Sequence, residues 1–129
     1  MKLKLISAAA GTDHFIVFRS GGSSYLSSKL AKEMLFEFGG NLGVLQDETN
    51  PEDYYICKYH EGIAVRNYTS KHKSTFEFTA RSLARDLAWK FGIDHKCVKI
   101  HVGPRIKYKE LWVYPLITAP FKQSTYGIV

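Results

Sequence analysis

Leu30-Ala31-Lys32-Glu33-Met34-Leu35-Phe36-Glu37-Phe38-Gly39 can be laid over Leu83-Ala84-Arg85-Asp86-Leu87-Ala88-Trp89-Lys90-Phe91-Gly92 at a constant offset of 53. Apolar, basic, acidic and aromatic classes agree at nearly every position. Each stretch repeats its apolar residues at helical spacing and ends in Phe-Gly, where glycine accepts the left-handed backbone that closes a helix. The spacing predicts one helix over residues 25–38 and a second over 80–91. The inner stripe of the second is Leu83, Ala84, Leu87, Ala88 and Phe91.

Working outward, the surroundings of both helices read as strands. Phe15-Ile16-Val17-Phe18 are four consecutive strand-forming residues, which predicts a central strand buried on both faces. Residues 54–60 and 63–69 flank Glu61-Gly62 and are read as a hairpin. Val98, Ile100 and Val102 alternate with Lys99 and His101, a strand with one wet face. Gly103-Pro104 turns the chain, and a strand-like segment continues to Ile117, where Pro115 marks a strand end or an edge. Lys2 to Ser7 alternates like a further strand, and 118–129 reads as an arm or tail.

These patterns predict a single α+β domain over residues 1–129, with two helices and six to eight strands in mainly antiparallel sheet. The matched segments suggest an internal duplication of a helix-plus-hairpin (αββ) unit, with half-repeats at about 13–69 and 75–117. Each unit alone is too small to cover its helix stripe and sheet face, so pairing two would bury both.

The 129 residues suit one domain, and a 45% hydrophobic, 14% aromatic composition supplies a core. No apolar run approaches the roughly 20 residues that cross a bilayer, so no membrane partner is expected. Only two cysteines occur, Cys57 and Cys97, far apart, which reads as a reducing cytoplasm rather than a disulfide framework.

The net charge of +6 is unevenly spread. Residues 1–64 carry 6 Lys/Arg against 8 Asp/Glu, and residues 65–129 carry 12 against 4. A local positive field attracts anions. Nucleic acid, DNA or RNA, is therefore the expected partner, held through phosphate contacts by Arg81, Arg85, Lys90, Lys99, Arg105, Lys107 and Lys109. Arg81, Arg85 and Trp89 fall on one helical line, which suits phosphate contact beside a stacking indole. Large aromatics are usually buried, however, so the favoured place for Trp89 is the core or a dimer interface, with Arg85 over its ring.

Other chemistry is thinly represented. His95, Cys97 and His101 share strand parity, but Lys99 between them opposes a cation, and no metal or cofactor is expected. Gly21-Gly22-Ser23-Ser24 lacks the phosphate-loop spacing and reads as a helix cap. Asp47, Glu48, Glu52 and Asp53 around Pro51 read as a solvated loop. The five histidines have no diagnostic neighbours, so the favoured reading is non-catalytic. A competing reading is a protein-interaction or assembly subunit, of the mobile-element or viral accessory type. It would use Trp89, Phe36 and the C-terminal tail to bind a second copy or a host protein.

Overall fold

The computed structural model describes residues 13–70, 73–92 and 95–121. The strand expected at Lys2 to Ser7 and most of the expected C-terminal tail lie outside them. The described chain is an α+β domain whose ten strands form two antiparallel sheets. Ten exceeds the expected six to eight because two segments read as single strands are each divided and because Ser24–Leu26 and Asn41–Gln46, not expected as strands, pair as well.

The first sheet contains β1 (Phe15–Arg19), β2 (Ser24–Leu26), β6 (Arg66–Ser70), β7 (Lys73–Phe78) and β8 (Cys97–His101), in the order β6-β7-β2-β1-β8. The second contains β3 (Asn41–Gln46), β4 (Tyr54–Lys58), β5 (Ile63–Ala64), β9 (Ile106–Tyr108) and β10 (Leu111–Pro115), in the order β5-β3-β4-β10-β9. Helix α1 (Ser28–Glu33) follows β2, and α2 (Arg81–Phe91) follows β7.

The sheets are joined at both sides. Residues 63–70 pass from one to the other, Ile63 and Ala64 pairing with β3 and Arg66 to Ser70 with β7. Across the molecule, Val102 beyond β8 bridges Leu116 beyond β10. The expected hairpin of residues 54–60 with 63–69 is therefore not formed, because β3 takes β4 on one side and β5 on the other. Glu61-Gly62 still turns the chain, but toward β3. Gly62 is needed there, since a Cβ would collide with the carbonyl of Leu42 and the amide of Gly43. Gly62→Ala should cost about 1–3 kcal/mol, the usual penalty of overpacking against backbone. A lowered urea midpoint checks it.

The inner faces of both sheets and the two helices share one core. It includes Ile16, Phe18, Phe76, Phe78, Val98 and Ile100 from the first sheet and Leu42, Ile56 and Tyr114 from the second. The expected stripe of α2 meets it, with Ala84, Leu87, Ala88 and Phe91 buried and Leu83 packed alongside. Val17 is buried on the opposite face of β1 between its strand neighbours Tyr25 and Lys99, but Phe15 on that face is only half-buried and Arg19 is exposed, so the strand expected to be buried on both faces is fully buried only toward the core. The first residues of the expected tail are docked: Thr118 is buried and Phe121 packs on Phe91 with ring centroids 5.6 Å apart.

The chain runs strand, strand, helix, strand, strand twice: β1-β2-α1-β3-β4, then residues 63–70, β7, α2, β8 and β10. Exchanging the halves keeps some neighbour relations and loses others: β3 pairs with β4 along five residues, whereas β8 and β10 lie in different sheets, and β9 has no counterpart. β2 lies beside β7 and β4 beside β10, while β1 beside β8 corresponds to residues 63–70 beside β3. The likeness of the halves is therefore partial, and the overlaid segments differ in conformation. Helix α2 is continuous, whereas the helix expected over 25–38 is cut down to α1. Met34 caps it, Leu35 turns left-handed at φ 66°, and Phe36–Phe38 forms a 3₁₀ turn. That break turns Phe36 into the core, fully buried. Lys58 holds it there, donating to the Leu35 carbonyl at 2.9 Å with its ammonium 5.5 Å from the Phe36 ring centre.

Candidate functional site

The segment expected to run as strand from Gly103-Pro104 to Ile117 is a two-stranded ribbon. Leu111 pairs with Tyr108, Trp112 with Lys107, and Val113 with Ile106. The turn between the strands carries Lys109 at φ 54°, a left-handed position with neither glycine nor asparagine to announce it. β10 pairs with β4 only through Tyr114 and Pro115. Residues 106–112 therefore extend the sheet past its pairing with β4 as a two-stranded ribbon; Val113 at its base is buried, while every residue of β9 is exposed.

Chemistry follows from the pairing. Lys107 and Trp112 are cross-strand partners, so they share a face, and Arg105 two residues away joins them. The Arg105 guanidinium lies 4.3 Å, and the Lys107 ammonium 4.8 Å, from the Trp112 ring centre. Lys109 lies 5.4 Å from the ring centre of Tyr108. Trp112 and Tyr108 are both about half exposed, at 46% and 53%. Among the described residues, no carboxylate comes within ion-pair distance of these three cations. Three positive charges thus stand beside two accessible rings. The acidic loop is near without pairing: Asp47 and Glu48 share a cleft with Lys107, Lys109, Tyr55 and Tyr108. Asp47 is occupied by its own turn, accepting from the backbone N–H groups of Thr49 and Asn50.

At the root of the ribbon, Tyr114 is buried beside Glu33 and Arg105. Burial, with the Glu33 charge adding to it, raises its phenol above the ordinary value and keeps it neutral. Glu33 also faces His14 at 3.4 Å. These contacts tie the ribbon's first cation to α1 and β1.

The other expected contact residues go elsewhere. Arg81, Arg85 and Trp89 line the exposed side of α2, where Arg85 lies 3.8 Å from Asp86. Trp89 is 70% exposed, so neither core packing nor an Arg85 cover holds it. Its ring instead meets His95 at 4.3 Å. Lys90 leans the other way, donating to the Pro51 carbonyl at 3.1 Å beside the Tyr54 and Phe91 rings. Lys99 stands on the sheet face opposite the helices, 4.1 Å from the Phe15 ring centre. The eight expected residues are therefore split among α2, the outer face of the first sheet and the ribbon. Only Arg105, Lys107 and Lys109 are brought together, and the aromatics beside them, Trp112 and Tyr108, were not picked out from the sequence. Their alternation with lysine in a 106–113 hairpin was the available signal.

His95 and His101 do not share a face. His95 takes a left-handed backbone ahead of β8 and turns to Trp89, while His101 contacts Phe15. Among the described residues, no three His, Cys, Asp or Glu side chains are grouped so as to hold a metal ion. Nor is any described helix long and apolar enough to cross a membrane. Ser24 is buried in β2, and the helix cap is Ser27, whose hydroxyl donates to the Asp13 carbonyl and accepts from the Phe15 amide.

Neither Cys57 nor Cys97 is in a disulfide, and Cys57 is fully buried. Burial pushes its thiol above the ordinary value, which keeps it protonated and unreactive. Iodoacetamide in mildly alkaline buffer should therefore leave Cys57 unmodified in the native protein and label it only after denaturation. Peptide mass mapping checks this.

No family model matches this chain, and no curated protein or solved structure matches it either.

Proposed function

We propose that this protein binds nucleic acid without catalysis, and that the ribbon of β9 and β10 is its principal contact element. The observation that carries this reading is the gathering of Arg105, Lys107 and Lys109 beside the accessible rings of Trp112 and Tyr108 on one projecting arm. A two-stranded ribbon has the width to enter a duplex major groove, and its ammonium and guanidinium groups suit phosphates on either wall. The charge of the second half supports the same reading by adding a positive field around the arm. Two cysteines outside any disulfide, one of them buried, fit work in a reducing cytoplasm. Titration of labelled DNA and RNA at several salt concentrations tests the proposal. Binding should weaken steeply as salt rises, because each phosphate contact releases counterions. Absence of salt-sensitive binding to both would remove it.

A second reading, as an interaction or assembly subunit, keeps Trp89 but loses Phe36, which is fully buried; Phe38, 80% exposed, is the aromatic left on the Phe36 segment. It expects self-association that Trp89→Ala weakens. Light scattering from a monomer at every concentration would count against the second-copy form of it.

A further inference from the structure

The outer face of the first sheet carries a second set of rings and cations, on the side away from the helices. Strand register defines it. Arg66, Glu77, Tyr25, Val17 and Lys99 form one cross-strand row. In the next, Tyr68 opposes Thr75 and Phe15 opposes His101. Arg19 opposes Cys97 beyond them. Phe15 and Tyr25 meet edge to face with centroids 6.5 Å apart, and Tyr68 is 54% exposed. A sheet face turned to solvent ordinarily carries polar residues in alternation. Three aromatics there, flanked by Arg19, Arg66 and Lys99, need a reason beyond folding.

The face is also indented. β2 ends at Leu26 while its neighbours continue, and between them opens a cleft of about 550 Å³. Phe15, Tyr25, Ser27, Ser74 and Thr75 are among its walls. That volume falls within the roughly 300–1,000 Å³ of small-ligand pockets, enough for a nucleotide unit. The acid at one rim, Asp13, is engaged by Lys29 at 2.7 Å, whose hydrogen bond and charge hold the carboxyl below its usual range. Glu77 remains the acid within the row, opposite Arg66.

We propose that this face is a platform for single-stranded nucleic acid, in which bases stack on Phe15, Tyr25 and Tyr68 and phosphates meet Lys99, Arg19 and Arg66. The proposal rests on the nucleic-acid reading and adds a second surface with a different preference. A duplex hides the faces of its bases, whereas a single strand offers them to any ring of suitable orientation. Lys99 already stands over Phe15, so an arriving base takes the ring face and the ammonium turns to the adjoining phosphate. Such binding is tolerant of sequence, since every base has a stackable face.

Fluorescence anisotropy on the full chain separates the two surfaces. The probes are labelled oligothymidylate, oligouridylate and a mixed-sequence DNA duplex, used with wild type, Tyr25→Leu/Tyr68→Leu and Lys99→Gln. Thermal melting confirms that each variant folds, and Lys99→Gln, on an exposed side chain, leaves packing untouched. The double variant should bind single strands about tenfold or more weakly and the duplex as wild type does. Lys99→Gln should flatten the salt dependence for single strands alone. A stronger response to one oligonucleotide tells DNA from RNA. Crosslinking of a 5-iodouracil strand to Phe15 or Tyr25 would add direct support. Wild type binding duplex but not single strands, or variants binding single strands undiminished, overturns the platform and leaves the ribbon reading intact. No binding to any probe overturns both.

Discussion

Replacing Arg105, Lys107 and Lys109 together by alanine should lower the slope of log affinity against log salt by about 2–3 for duplex DNA. Each cation that neutralises a phosphate contributes roughly 0.9 to that slope, so three account for the change. At low salt the loss is on the order of 100-fold, equivalent to roughly 1 kcal/mol for each cation removed. Fold stability should change far less, because β9 is exposed throughout and surface substitutions usually stay within about 0.5 kcal/mol. Loss of the Arg105 and Lys107 contacts with the Trp112 ring adds about 0.5–1 kcal/mol at an exposed site. The matching change on α2, Arg81→Ala/Arg85→Ala, should leave the slope nearly unaltered. An unchanged slope in the ribbon variant, or a larger drop from the α2 variant, would move the contact surface to the helix. Anisotropy titrations in parallel at several salt concentrations decide between them.

Phe36→Ala should cost about 3–5 kcal/mol of stability, the range for emptying a buried phenylalanine site. Trp89→Ala, at the overlaid position, should cost less than about 1 kcal/mol. Phe36 is completely buried in the core cluster, so removing its ring leaves a cavity there. Trp89 is 70% exposed and loses mainly solvent-facing surface and its ring contact with His95. Urea denaturation of both variants measures the contrast, and Phe36→Ala should also fall by about 10 °C or more in melting temperature. Equal costs would mean that the indole is packed and that the two segments are conformationally equivalent after all.

That contrast shows where reading the chain stops. Helix α2 was legible because five apolar residues at helical spacing have one possible burial direction, and β1 because four strand formers in succession mark a strand, although its outer face turned out to be only partly covered. The same spacing in residues 25–38 promised a continuous helix, and Leu35 broke it in a conformation that leucine rarely adopts. No local preference announces that break. Its cause is the core's demand for Phe36, which is a property of distant strands. Lys109 is the same case at the ribbon tip: a left-handed lysine hides a hairpin that Asn-Gly would have advertised. The candidate site suffered accordingly. Arg105, Lys107 and Lys109 were identifiable as cations, but their company of Trp112 and Tyr108 depends on a turn that could not be seen.

Pairing was the other obscured layer. Glu61-Gly62 is a sound turn signal, yet a turn specifies only that the chain reverses. It leaves open whether the next strand returns to its predecessor or, as β5 does, to the strand before that. Residues 63–70 alternate well enough to serve either partner.

The amino-acid order by itself determined the α+β class, the inner stripe of α2, the presence of the β1 strand and the concentration of positive charge after residue 64. All of these depend on residue type and on spacing along one element, and that information is local. Tertiary structure alone decided which strands pair, where the first helix breaks, that Trp89 faces solvent while Phe36 does not, and which cations stand together. Those outcomes come from competition among distant segments for one core, and the winner is set by packing in three dimensions rather than by any single stretch of chain.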